Sequence, residues 1–167
     1  MDKEYWLTKV EPYEGESISH FLGRFRRTKG NRFSAASGLG QVAGLGAILA
    51  RWEKLYFNPF PNEQELEALG KVVMLDVEDL RKMLPQKGMV TQPKPIMLCA
   101  VCYGEKPYHR MVWQDKHQRG CEVHGLELLS RCINCKRLFP IPSKWEEGKC
   151  LLCGLAFAKI AKHQKPI

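Results

Sequence analysis

Seven cysteines and one histidine fall into four pairs of identical internal spacing, and this constrains the chain more than any other feature. Cys99-x2-Cys102 is followed by Cys121-x2-His124, then by Cys132-x2-Cys135 and Cys150-x2-Cys153. Two intervening residues let a tight knuckle aim both ligands at one ion, about 2.3 Å from each sulfur. Eight ligands suffice for two tetrahedral sites, and no cysteine is left over. A charged N-terminus, MDKEYWLTKVEPYEGE, reads as no secretory signal, so metal ligation is the expected use of these thiols rather than disulfides. The expected cofactor is two Zn2+. Three cysteines with a histidine, or four cysteines, leave no ligand slot for water, so both ions are expected to be structural. Some seventy residues from Cys99 onward hold little apolar surface, and metal binding would supply the missing folding free energy. Trp113, Leu126, Leu128 and Leu129 are expected to pack beside the sites.

Two pairings are open. Sequential pairing puts Cys99, Cys102, Cys121 and His124 on one ion, and Cys132, Cys135, Cys150 and Cys153 on the other. Interleaved pairing gives a cross-brace, as in RING ubiquitin ligases, whose ligand order this chain shares. The spacers within the sequential pairs are 18 and 14 residues, near the zinc-ribbon range, and seven residues separate His124 from Cys132. That last spacer is long for a cross-brace and favours sequential fingers. His20, His109, His117 and His163 read as surface residues rather than ligands.

The rest of the 167-residue chain is organised differently. Residues 1–84 carry helical periodicity, 85–95 form a Pro- and Gly-containing linker, 96–128 hold the first finger, and 129–167 hold the second with a basic tail. Ser17 reads as the N-cap of a helix whose inward face is Ile18, Phe21, Leu22 and Phe25. A second helical stretch spans 36–57, with Leu39, Val42, Leu45, Leu49 and Trp52 spaced for burial and Asn58-Pro59-Phe60-Pro61 ending it. Residues 61–84 read as a helix-turn-helix: a helix over 63–70 with Leu66 and Leu69 inward, a turn over 71–75, then a short helix capped by Asp76 and lined by Val77, Leu80 and Leu84. Glu78 and Asp79 at its start suit a protein-docking or core element better than a reader of base edges. The fold class expected is a mainly α N-terminal region with a helix-turn-helix, followed by two small zinc-finger or zinc-ribbon modules.

Net charge is +8, distributed as +3 over residues 1–60, −1 over 61–98 and +6 over 99–167. Seven thiolates on two divalent ions would bring the total to +5. A basic balance admits an acidic partner such as nucleic acid, and equally serves solubility. No apolar run approaches the roughly 20 residues of a membrane helix, which places the chain in the cytoplasm and predicts no membrane partner. There is no GxxxxGK[ST] and no GxSxG. The glycines at 38, 40, 44 and 46 have the wrong spacing for a dinucleotide loop and suit close helix packing. With every cysteine committed to metal, no thiol nucleophile remains, and a non-enzyme without a small-molecule substrate is expected.

Gly15 opens GESISHFLGRF, which resembles the GES-x-S-x-x-x-x-R region of TniQ, the transposon target-selection family that includes TnsD. Residues 98–135, LCAVCYGEKPYHRMVWQDKHQRGCEVHGLELLSRCINC, are similar to that family in the order Cys pair, Trp, Cys-x2-His-Gly, leucine-rich link and Cys pair. NRFSAASGLGQ and LARWEK resemble the short TniQ proteins of cyanobacterial CRISPR-associated transposons. The likeness covers nearly the whole chain. It implies a bacterial adaptor in RNA-guided DNA transposition, joining the AAA+ ATPase regulator TnsC to a target-recognition complex of Cas effector and guide RNA. The chain ends soon after the second finger, without the C-terminal recognition domains of the TnsD type, so target choice would be delegated and DNA met through the assembly. The alternative function is a sequence-specific DNA-binding regulator using the helix-turn-helix and zinc modules.

The residues expected to contact nucleic acid or a partner are Arg131, Lys136, Arg137, Lys144 and Lys149 around the second site. Arg24, Arg26, Arg27 and Arg32 form a second set, of which one is expected to pack internally. Trp6 is a candidate partner anchor. Residues 155–165 mix Leu155, Phe157 and Ile160 with lysines, the pattern of either a short docking helix or a frayed end.

Overall fold

The computed structural model describes residues 7–167 and is mostly helical; its β pairing consists of isolated bridges. Trp6 lies outside the described residues. Six α-helices are present among those described: α1 (Ile18–Arg27), α2 (Ala36–Ala43), α3 (Ile48–Glu53), α4 (Glu63–Val73), α5 (Val77–Arg81) and α6 (Ala100–Glu105). Short 3-10 turns lie at Met111–Gln114, Pro142–Lys144 and Phe157–His163.

α1 forms where its apolar spacing and cap predict. The Ser17 hydroxyl accepts the His20 N–H at 3.2 Å, and Ile18, Phe21, Leu22 and Phe25 are wholly buried. The stretch 36–57 is two helices rather than one. Gly44 takes φ +72 and closes α2, and a Cβ on Gly40 would stand 2.2 Å from the Gly46 carbonyl oxygen. Close packing at Gly40 is thus present, but the left-handed Gly44 turns the chain so that α3 packs back on α1 and α2.

Asn62 and Glu65 form a reciprocal capping box at the start of α4. α4 runs to Val73, three residues past the expected end, and stops at Met74 in the left-handed region. Asp76 caps α5 through the Asp79 N–H at 2.8 Å. Leu66, Leu69, Leu80 and Leu84 join α1–α3 in the first apolar core.

Segment 85–95 is tied down over its second half. The Lys116 N–H donates to the Val90 carbonyl at 2.7 Å and the Gln92 N–H to the Gln114 carbonyl at 2.8 Å. A second core begins with Leu55, Ile96 and Leu98, and it takes in Cys99, Cys102, Cys121, Cys132 and Cys150 with Trp113, Trp145, Phe157 and Ile160.

The two cores meet along α1. Gly23 has no room for a side chain, because a Cβ would lie 2.3 Å from the Ser143 carbonyl oxygen. The Ser143 N–H donates to the Ser19 hydroxyl at 3.2 Å, and Arg27 donates to the Ser143 carbonyl at 2.5 Å. The Ser17 N–H donates to the His109 carbonyl at 3.0 Å, and the Met111 N–H to the Gly15 carbonyl at 3.0 Å.

The tail neither frays nor leaves its apolar face free. Phe157–His163 lies against α6 with Phe157 and Ile160 wholly buried. Beyond it Gln164 accepts from the Ala100 N–H at 3.0 Å and donates to the Glu127 carbonyl at 2.9 Å. The Ile167 N–H reaches the Gly125 carbonyl at 3.0 Å. The tail that follows the second finger therefore closes the first.

Candidate metal centres

Three of the four ligand pairs are built by one local device. In each, the first cysteine's N–H donates to a carbonyl five residues on: Cys121 to Leu126 at 2.7 Å, Cys132 to Arg137 at 2.8 Å and Cys150 to Leu155 at 2.8 Å. The residue between, Gly125, Lys136 or Gly154, has φ between 63° and 75° and returns its N–H to the first cysteine's carbonyl. This tight loop points ligands i and i+3 the same way. The fourth pair uses a helix start: Cys99 is the N-cap of α6, and its sulfur accepts the Cys102 N–H at 3.5 Å.

The pairs combine sequentially. Cys99, Cys102, Cys121 and His124 form one cluster and Cys132, Cys135, Cys150 and Cys153 the other, with all ligand atoms of a cluster within 4.8 Å of one another. In the first, Cys102 Sγ stands 3.5 Å from Cys121 Sγ. His124 Nδ1 stands 3.3, 3.6 and 3.8 Å from the sulfurs of Cys102, Cys121 and Cys99. In the second, Cys132 faces Cys153 at 3.5 Å and Cys135 faces Cys150 at 3.4 Å. A tetrahedron with ligand atoms about 2.3 Å from its centre has edges of about 3.8 Å. Both clusters approximate that size and can hold a metal ion.

The ligand thiols are shifted in opposite directions by their surroundings. Burial, then the neighbouring Cys121 sulfur, pushes the Cys102 thiol well above the ordinary range. Against the pull of the Arg137 N–H, burial and three neighbouring sulfurs push Cys135 up to about 11. Cys153, the exposed member, is drawn down to about 6 by the Asn134 side chain and the Leu155 N–H. A divalent cation favours the thiolate at every one of these positions.

Glu105 completes the first centre. Its carboxylate accepts from His124 Nε2 at 2.9 Å, which leaves Nδ1 unprotonated and aimed at the sulfurs. Glu105 lies three residues after Cys102 on α6, the same face of one helical turn, and that spacing is the signal in the sequence that points to it.

The basic residues expected at an interface divide sharply. Arg26 is a correction: it is buried and clamped to buried Glu53 by Nε–Oε2 at 2.9 Å and Nη2–Oε1 at 2.6 Å. Arg24 is likewise committed, to buried Glu16 at 2.8 and 2.6 Å, with its guanidinium over the Tyr13 ring. Arg27 is held by Ser143, and burial lowers its pKa. Arg32, Arg131, Lys136, Arg137, Lys144 and Lys149 remain exposed; Arg131 donates to the Lys136 carbonyl and Lys149 pairs with Glu147 at 2.6 Å. His117 and His163 are on the surface as expected, but His20 and His109 are buried. His20 Nδ1 stands 2.5 Å from the Glu16 carboxylate, and His109 bridges Ser17 and Gln114. They belong to a polar network along α1 rather than to either metal centre.

No protein-family model matches this chain, and no curated protein matches it. No helix among the described residues is long and apolar enough to cross a membrane.

Proposed function

We propose that the protein is a non-catalytic adaptor of RNA-guided DNA transposition in the bacterial cytoplasm. It bridges an AAA+ regulator of the TnsC kind and a complex of Cas effector and guide RNA, and it meets DNA through that assembly. The resemblance in residues 15–24 and 98–135 supplies the assignment. The observation that carries it is the joint itself. Ser17, Ser19 and Gly23 bind the helical unit to the metal-bearing unit, and Glu16 and Arg24 brace them, so the two units are built as one connector.

Each cluster is assigned one Zn2+. Three or four thiolates in a tetrahedral set of this size suit zinc among the common biological metals. Held by Cys99, Cys102, Cys121 and His124, and by Cys132, Cys135, Cys150 and Cys153, the ions would supply folding free energy. With four protein ligands at each, both ions are structural.

In this reading α4 and α5 form a helix-turn-helix-like docking unit. The alternative, a sequence-specific regulator, asks α5 to read bases, and α5 has five residues with Glu78 and Asp79 in its first turn. Exposed Arg32, Arg131, Lys136, Arg137, Lys144 and Lys149 are the residues left to meet nucleic acid or a partner.

The test is co-retention of the purified protein with the AAA+ regulator, with and without ATP and duplex DNA. Retention that depends on nucleotide and DNA is expected. Failure to associate under any condition, or protection of a defined DNA site by the isolated protein, would overturn the reading. Reversing Lys136 and Arg137 to Glu should weaken recruitment to the RNA-guided complex, and unchanged recruitment would remove those residues from the interface.

A further inference from the structure

Away from the metal centres, a cleft of about 1010 Å3 opens between the end of α3 and residues 85–93. Its floor is apolar: Leu55, Phe57 and Met89. Tyr56, Phe60 and Val90 stand at its edge 42%, 52% and 47% exposed, an unusual concentration of apolar surface in water. Arg51, Arg81 and Lys87 line the same cleft, and no carboxylate does.

A second cleft of about 470 Å3 continues from it, sharing Tyr56 and Pro93. Lys54, Lys94 and Lys144 line this one, again without a carboxylate. Of the six cations, only Arg81 has an ion-pair partner among the described residues, the exposed Glu78. An apolar trough edged by cations that the protein does not neutralise is complementary to a ligand with large apolar side chains and several negative charges.

Peptide and nucleic acid both carry negative charge, and the floor discriminates between them. Single strands are held by aromatic faces on which bases stack. Here Phe57 in the floor and Phe60 at the edge are tilted 51° to each other with centroids 6.5 Å apart, Tyr56 stands apart at the mouth of the second cleft, and the remaining floor is Leu55 and Met89. Such a surface packs leucine, methionine or phenylalanine side chains better than it stacks bases.

We infer that the joined clefts are the docking site for an acidic peptide segment of a partner protein. Its apolar anchors lie over Leu55 and Met89 beside Phe60, and its carboxylates face Arg51 and Lys87 in the first cleft and Lys54 and Lys94 in the second. The inference rests on the groove's own chemistry and is independent of the transposition reading.

The test is selection of a random 16-residue phage-displayed peptide library on the full, zinc-loaded chain. Synthetic peptides from the enriched clones are then measured by fluorescence anisotropy. Enriched sequences should carry net negative charge and at least one large apolar residue. Affinity should fall at least ten-fold with Phe60→Ala plus Val90→Ser, and separately with Lys54→Glu plus Lys94→Glu. All four side chains are at the surface, so circular dichroism should be unchanged. No enrichment, enrichment of neutral or basic sequences, or wild-type affinity retained by either variant overturns the inference. Displacement of the peptide by a 16-nucleotide oligouridine that itself loses affinity with Phe60→Ala also overturns it, by assigning the groove to nucleic acid.

Discussion

His109 should make the protein lose stability in mild acid. The ring is wholly buried, edge-on to Trp113 and Trp145 with centroids 5.4 and 5.2 Å away. Gln114 spends its Nε2 on the Gln92 and Pro95 carbonyls at 2.8 and 3.1 Å, so its Oε1 accepts from His109 Nε2 at 3.1 Å. With the proton on Nε2, Nδ1 is the acceptor and takes the Ser17 hydroxyl proton at 2.8 Å, while Ser17 Oγ accepts the His20 N–H at 3.2 Å. Both ring nitrogens are satisfied in the neutral form, and an added proton would force the Ser17 hydroxyl to turn and would place a charge in a wholly buried site. Burial, opposed by the Gln114 bond and aided by His20, lowers the pKa to about 3.

The unfolded chain titrates near 6.5 and so takes up the proton first. The neutral ring's contribution is complete above about pH 6.5 and is lost as pH falls toward 3. Between pH 7.5 and 5.5 one such histidine removes about 1.4 kcal/mol. His109→Gln abolishes this titration while leaving His20 and the metal ligands, whose own pH dependence is common to both proteins. Urea unfolding followed by tryptophan fluorescence, with zinc in excess at both pH values, reads the difference. The wild type should lose about 1.4 kcal/mol more than the variant over this range. Equal losses in the two proteins would refute the protonation argument, whatever the variant's absolute stability.

Glu53→Gln should cost about 3 to 5 kcal/mol in the same unfolding assay, because it strands a buried guanidinium. Arg26→Met with Glu53→Leu should recover most of that, and a double variant as unstable as the single would show that the pair is not the cause. Cys132→Ala should reduce bound zinc from two equivalents to one and loosen the second finger; two retained equivalents would contradict the ligand assignment. Ending the chain at Leu155 keeps all eight ligands but removes wholly buried Phe157 and Ile160. The two side chains bring at most about 3 to 6 kcal/mol, so the truncated chain should unfold at clearly lower urea. An unchanged midpoint would exclude the tail from the core.

The metal clusters were legible because their geometry is local. A C-x2-C knuckle is specified by a few consecutive residues, and the long spacer before Cys132 already favours the sequential pairing that the clusters show. Ser17 and Asp76 were legible as caps for the same reason. What sequence reading missed depends on distant partners. Arg24, Arg26 and Arg27 look like an exposed basic patch until Glu16, Glu53 and the Ser143 carbonyl are brought to them. His20 and His109 have hydrogen-bond partners close by in the chain, Glu16 and Gln114, but Trp145, which packs edge-on to both rings, arrives from another segment. The tail's apolar residues gave an amphipathic pattern but no information about which surface they would cover.

This division bears on how function should be sought in the chain. Every polar residue of the N-terminal motif is spent internally: Glu16 on His20 and Arg24, Ser17 on the α1 start and His109, and Ser19 on the Glu53 carbonyl and the Ser143 N–H. Substituting them would break the joint between the helical and cysteine-cluster units, and any assay downstream would fail without identifying a contact. Recognition must use side chains that reach solvent with charge or apolar area unspent. Those include Arg137 and its neighbours beside the second cysteine cluster, and Phe60, Val90 and the unpaired lysines of the cleft. Loss of association without loss of folding is meaningful only at such positions, because there the folded state gives up nothing when the side chain changes.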